Sequence, residues 1–346
     1  MPRIQLLPAC TLKPVTTLCT RLRSPSKTIN GHSHLVGLFK ASFPEHRNRP
    51  KMAESLWPWL RLPFYLSTAF VSLGGGALYY FQNEIIYPRN LPPGARKEVP
   101  QPGQFGIEDA EVLSIPTPDG ETLSGFLVRP PNKSQARPIT ILSFHGNAGN
   151  VGHRLPIAKV LAHDLQCTTL MLEYRGYGLS TGNPSEKGLR VDAQTGLDYI
   201  RNRDDLKSSN VVIYGQSLGG AVAIDLVTQN KGKGDIKGLI LENTFLSITK
   251  MIPRAMPIAK YLTPLCHEYW RSEDVISEIT DVPILFLSGL QDEIVPPLHM
   301  KELFKLCRSP TVVWKELANG DHNNSVAEPG YFSHIEDFVQ RHILKR

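Results

Sequence analysis

From about residue 105 onward, the apolar residues of this chain fall in short unbroken runs. "PITILSFHG", "CTTLMLEY", "NVVIYG", "GLILEN", "PILFLSG" and "TVVWKEL" show no alternation with polar residues. That is the pattern of strands covered on both faces, as in a parallel sheet. Between the runs lie segments of helical spacing at 153–165, 186–201, 218–230 and 297–306, with a last one at 331–343. Ahead of them, "EVLSIPTPDGETLSGFLV" turns back on itself at Asp119-Gly120 and predicts a hairpin. Strands alternating with helices predict an α/β domain over 105–346, with sites at the carboxyl ends of the strands. We expect a mostly parallel, eight-stranded sheet with helices on both faces. The stretch "SITKMIPRAMPIAKYLTPLCHEYW", about 247–270, breaks the alternation and predicts a short lid. Its Met251, Ile252, Met256, Ile258 and Leu262 either pack on the core or face an acyl chain.

A different pattern precedes the domain. "LPFYLSTAFVSLGGGALYYF", residues 62–81, contains no charge. Twenty residues at the helical rise reach roughly 30 Å, the thickness of a bilayer's hydrocarbon. Trp57, Trp59, Tyr79 and Tyr80 flank the run as interfacial anchors would. The expectation is one transmembrane helix and a single-pass membrane protein, in the endoplasmic reticulum or another endomembrane, with a mitochondrial membrane as the alternative. Residues 1–51 are basic, rich in Ser and Thr and poor in acid. They read as a mitochondrial presequence, as a disordered basic tail, or as an upstream extension if translation starts at Met52. The tail's charge favours a cytoplasmic N-terminus; a start at Met52 reverses that bias. Residues 88–104, with several Pro and Gly, read as a linker.

The net charge of +6 belongs to this front end, where residues 1–61 hold ten Lys or Arg against Glu45 and Glu54. The remainder is slightly acidic, so there is no electrostatic case for nucleic acid as a partner. Five cysteines without C-x-x-C spacing predict no zinc site, and nothing calls for a cofactor or another metal. Cys167 reads as a small core residue; a bridge between Cys266 and Cys307 depends on the compartment.

The chemistry centres on "VVIYGQSLGGAVAIDL". A G-x-S-x-G between strand and helix is a nucleophile elbow, which lifts the Ser217 hydroxyl clear of the sheet at a helix N-terminus. Serine needs a base oriented by a third group, in the chain order Ser, acid, His. Asp292 follows "PILFLSG" and is preferred to its neighbour Glu293. His322 follows "TVVWKELANG" in a loop, whereas His299, His334 and His342 sit on helical patterns. Asp321 shapes the turn. The oxyanion donors are the backbone amides of Leu218 and of Asn147 in "HGNAGN", where Gly146 and Gly149 allow close approach. His145 holds that loop. A phosphate cradle is a poor reading of this loop, which lacks G-K-[ST]. In "EYRGYGLSTG", Arg175 either pairs with Glu173 or lines the pocket, and the structural role is favoured.

With "HGNAGN", "YRGYGLSTG", "GQSLGGAVA", "ENTFLSI", "SGLQDEIVPP" and "GDHN" in this order, the chain resembles the Bem-forty-six-like family of α/β-hydrolases. Within it, the likeness is to the branch of type thirteen and more distantly to type seventeen, over about residues 80–346. The resemblance implies an α/β-hydrolase fold, a triad on Ser217, Asp292 and His322, and an N-terminal membrane anchor. Type seventeen relatives remove palmitate from proteins. The expected function is a membrane-anchored serine hydrolase, cleaving an ester or thioester of a lipid or an acylated protein. The alternatives are a non-catalytic scaffold in cell polarity and a peptidase.

Overall fold

The unbroken apolar runs become the middle of one sheet. The computed structural model describes residues 52–255 and 257–345, without the side chains of 52–58 and 254–260. The readings of residues 1–51, and of the Trp57, Met256 and Ile258 side chains, lie outside the described residues. The chain divides between Trp59 and Leu60, and residues 60–346 hold the sheet and the chemistry described below. The strands are β1 (Ala110–Pro116), β2 (Thr122–Val128), β3 (Ile139–Phe144), β4 (Thr168–Leu172), β5 (Asn210–Gln216), β6 (Ile236–Glu242), β7 (Ile284–Gly289) and β8 (Val312–Leu317). Their order is β1-β2-β4-β3-β5-β6-β7-β8. β1 and β2 form the antiparallel hairpin around Asp119-Gly120, β2 runs antiparallel to β4, and every other pair is parallel.

The helices are α1 (Met52–Ile86), α2 (Leu155–His163), α3 (Glu186–Asn202), α4 (Leu218–Gln229), α5 (Ile248–Ala255), α6 (Ser272–Val275), α7 (Pro297–Leu306) and α8 (Tyr331–Phe338). Strand periodicity places them on two faces. In β3, Leu142 and Phe144 join a core with residues of α3, α4 and α7. Ile139 and Ile141 point the other way, to a core with Leu161 of α2 and Ile335 and Phe338 of α8. All six β3 residues are therefore buried, which is why the run shows no alternation. Strand order reverses beside β3, since β4 lies on one side of it and β5 on the other. The carboxyl ends of β3 and β5 flank that switch point, where α/β sheets open a crevice.

The reading of residues 62–81 needs correction. The segment is helical, inside the 35-residue α1, but no helix among the described residues is long and apolar enough to cross a membrane. The run is uncharged, yet Gly74, Gly75, Gly76, Ser67, Thr68, Ser72 and three tyrosines dilute its hydropathy. Leu66, Phe70, Val71 and Leu73 are still 61–79% exposed. The last turns of α1 behave otherwise. Gln82 is buried, donates to the Leu265 carbonyl at 3.1 Å and accepts from the His267 amide at 2.9 Å. Buried Tyr87 donates to Glu268 and accepts from Trp270 Nε1.

These partners belong to the lid region. It comprises α5, which ends soon after Pro253, a 3₁₀ stretch over Pro257–Leu265, and the segment that follows to Trp270. Cys266 and Cys307 are free thiols, so the bridge between them is absent. Cys167 is buried in the second core, and burial pushes its thiol up to about 12.

Candidate active site

Close packing dictates the backbone at the end of β5. A Cβ on Gly215 would lie 2.2 Å from the Gly219 carbonyl oxygen, and one on Gly219 would lie 2.1 Å from that of Phe144. Between them Ser217 adopts φ 54° and ψ −117°, a strained conformation for a residue with a side chain. Two flanking bonds hold it there. Its amide donates to the Glu242 carbonyl at 2.8 Å, and its own carbonyl accepts from Thr244 Oγ1 at 2.7 Å.

The structure brings Ser217, His322 and Asp292 together. Ser217 Oγ lies 3.0 Å from His322 Nε2, and His322 Nδ1 lies 2.7 Å from Asp292 Oδ2. The other Asp292 oxygen accepts the amides of Ile294 and Val295 at 2.9 and 2.8 Å. The carboxylate thus holds the proton on Nδ1 and leaves the Nε2 lone pair to face the serine. All three residues are buried, while Glu293 beside them is exposed. His299 is a packing residue, accepting the Leu246 amide at 3.2 Å. Asp321 shapes its turn, accepting the amides of Asn323 and Asn324 at 2.8 Å.

Asn243, in "ENTFLSI", ties the loops of Asp292 and His322 together. It has a positive φ of 45°. Its Nδ2 donates to the Asp321 carbonyl at 3.1 Å and to Ser325 Oγ at 3.0 Å. Its Oδ1 accepts the Gly289 amide at 2.8 Å. One side chain therefore joins the end of β7 to the loop of His322. Behind Ser217, fully buried Glu242 accepts from Tyr214, Tyr331 and Gln216. Burial raises its carboxyl above the ordinary range.

The "HGNAGN" loop follows β3. The backbone amides of Asn147 and Leu218 donate no hydrogen bond among the described residues. The Asn147 side chain is fully engaged, donating to the Ile86 carbonyl and accepting from Tyr177 at 2.7 Å. His145 braces the loop, with Nδ1 2.7 Å from the Gly146 carbonyl and Nε2 2.9 Å from Glu173 Oε1. Arg175 is structural, but its partners differ from the expectation. Glu173 is turned toward His145 and the Val151 amide. Arg175 instead bonds Asp192 at 2.8 Å and grips Asp119 with two bonds of 2.8 and 3.0 Å.

Ser217 and His322 open on a cavity of about 430 Å³. Its far wall is apolar, from Ile85 and Ile86 of α1, Phe245, and Met251 and Ile252 of the lid. A smaller hollow of about 80 Å³ shares Ile85, Ile86 and Ile252 with it and continues toward Leu78, Leu262 and Leu265. A larger groove of about 1130 Å³, between the β1–β2 turn and α3, contains none of the triad. Sequence reasoning missed the end of α1 in this wall, the Gln216–Glu242 contact, and Arg154, which also lines the cavity. A Glu closing an apolar strand was the available signal for a buried polar cluster.

Residues 135–278 match the family described as "Serine aminopeptidase, S33". The protein bem46 of Schizosaccharomyces pombe is 42% identical over 289 residues, 83% of this chain and 95% of its own. The Saccharomyces cerevisiae "Uncharacterized membrane protein YNL320W" is 38% identical over 78% of this chain and 93% of its own. Among solved structures, the α/β hydrolase of Vibrio vulnificus is similar, with a TM-score of 0.61 at 22% identity over 74% of this chain and 92% of that one. The Pyrococcus furiosus esterase PF2001 has a TM-score of 0.58 at 18% identity, over 70% and 94%. At such identities these two speak for the fold alone. The bem46 likeness, spanning nearly that whole protein and most of this one, places the chain in the Bem46-like α/β-hydrolase family.

Proposed function

We propose that this chain is a membrane-attached serine hydrolase that cleaves a fatty-acyl ester or thioester. His322 Nε2 takes the Ser217 proton as Oγ attacks the acyl carbonyl. The Asn147 and Leu218 amides stabilise the oxyanion, and Asp292 supports the imidazolium. His322 then protonates the leaving alcohol or thiol. Water, deprotonated by the same imidazole, releases the carboxylic acid from Ser217. The observation that carries the reading is the Ser217–His322–Asp292 chain, at 3.0 and 2.7 Å, opening on an apolar wall. Each methylene buried there favours binding by about 0.8 kcal/mol. Attachment is supported by the exposed apolar residues of α1, which suit a lipid surface. It is also supported by the word "membrane" in the name of the yeast relative.

A fluorophosphonate probe should label Ser217 in the full chain and not in Ser217→Ala. Catalytic efficiency on matched acyl thioesters should rise from acetyl toward palmitoyl. A folded chain that resists the probe would refute the hydrolase; a fall with chain length would refute the fatty-acyl substrate. The family description favours a second reading, removal of a residue from a peptide N-terminus. That chemistry needs an anionic grip on the ammonium, and no Asp or Glu lines the cavity among the described residues. Release of amines from aminoacyl anilides would restore it.

A further inference from the structure

The cavity holds one charged side chain, Arg154, among its described lining residues. Arg154 ends the short helical turn Val151–Arg154 after the "HGNAGN" loop. A methyl placed on Gly146 would lie 3.9 Å from Arg154 Nη2 and 3.7 Å from Ser217 Cβ, so guanidinium and nucleophile flank the same glycine. Among the described residues Arg154 forms no ion pair, and its buried Nε has no hydrogen-bond partner. The nearby acids are committed elsewhere. Glu242 is enclosed by Tyr214, Tyr331 and Gln216, and Glu173 by the Val151 amide and His145. Arg154 feels the charge of buried Glu242 at longer range, but no described carboxylate reaches it directly, and a partly desolvated guanidinium gains from an anion within hydrogen-bond distance. Its planar fork matches phosphate and carboxylate oxygens.

Resting on the hydrolase reading, we propose that the cavity is two-sided and takes a small anionic amphiphile. Arg154 holds a phosphate or carboxylate of an acyl ester or thioester, while the acyl chain lies against Ile86, Met251 and Ile252. The anion is not consumed. The acyl group moves to Ser217 Oγ, the anionic alcohol or thiol leaves with the proton from His322, and water then frees the acid.

The test is protection of Ser217 from phenylmethanesulfonyl fluoride, on the full chain in a neutral detergent. Octyl phosphate, octanoate and octanol are compared below their aggregation limits, with inorganic phosphate as the arm lacking a chain. Octyl phosphate or octanoate should protect at concentrations at least tenfold lower than octanol, and the better of the two identifies the anion. Arg154→Gln should remove the difference, and Arg154→Lys should keep part of it. Equal protection by all three amphiphiles, or a preference that survives in Arg154→Gln, would overturn the proposal. Inorganic phosphate protecting as well as octyl phosphate would overturn the apolar half. Calorimetric titration of octyl phosphate reads the same comparison without the serine. Arg154-dependent binding by a chain that never labels would therefore refute the hydrolase and leave the subsite standing.

Discussion

On the sheet side of the cavity, each functional atom meets a directed partner: Ser217 Oγ meets His322, His322 meets Asp292, and Asp292 meets two amides. Across the cavity, Ile85, Ile86, Met251 and Ile252 present apolar surface with no direction to it. Hydrogen bonds weaken steeply with distance and angle, so the first wall has one working arrangement. Apolar burial depends on area and little on orientation, so the second wall accepts substituents of varied shape. On the proposed reading, the reaction is narrowly specified and the acyl group broadly. The walls also differ in origin, since the apolar one is assembled from the end of α1 and a lid far away in sequence.

Substitutions on the two walls should therefore differ in kind. Asp292→Asn should lower kcat by about 10⁴-fold at unchanged Tm, because the imidazole loses both its tautomer and its counter-charge. Glu293→Gln should change kcat less than about twofold, and the opposite ranking would show that the wrong acid was assigned. Asn243→Ala removes the tie between the two loops. It should lower kcat by about 10²-fold through displacement of His322, and destabilise the fold by about 1–3 kcal/mol in urea titration. Ile252→Ala should reduce kcat/KM about tenfold for long acyl thioesters and leave acetyl thioesters alone. An equal loss on both would mean that this wall serves the chemistry and not the chain.

The smallest expected effect lies outside both walls and serves as a control. The Arg175 guanidinium, helped by Thr117, holds the Asp119 carboxyl down to about 2 from its ordinary 3.8. A depressed carboxyl adds stability above its unfolded pKa and loses it as the pH falls through the folded one. Asp119→Asn should therefore lower Tm slightly at neutral pH, and the gap should close between about pH 4 and pH 2. Activity at neutral pH should not move.

Much of the sheet side could be read in the sequence, because its rules are local. Strands covered on both faces appear as apolar runs, and α7 occupies the residues 297–306 that helical spacing selects. Ser217, Asp292 and His322 each follow a strand end, where loops aim side chains at the crevice. The contact of Gln216 with Glu242 could not be read this way. It arises because β5 and β6 are neighbours in a register that sets these two residues side by side. Nothing in the spacing of Gln82 or Tyr87 announces partners in the lid about 180 residues later. The span reading failed for another reason: absence of charge is not high hydropathy, and the glycines and serines of residues 62–81 lower it, as do the tyrosines, two of which are the expected anchors.

The bond from the Asn147 side chain to the Ile86 carbonyl has a practical consequence for anyone wishing to trim this protein. The cut that looks natural, just ahead of the sheet, would remove a rafter of the room along with the porch. A shortened chain beginning at residue 88 would lack Ile85, Ile86 and the carbonyl on which the "HGNAGN" loop leans. One beginning near residue 74 would shed Leu66, Phe70, Val71 and Leu73 and still keep Gln82 and Tyr87 on their lid partners. The safe place to cut is inside a continuous helix, at the glycines Gly74, Gly75 and Gly76, and not at either of its ends.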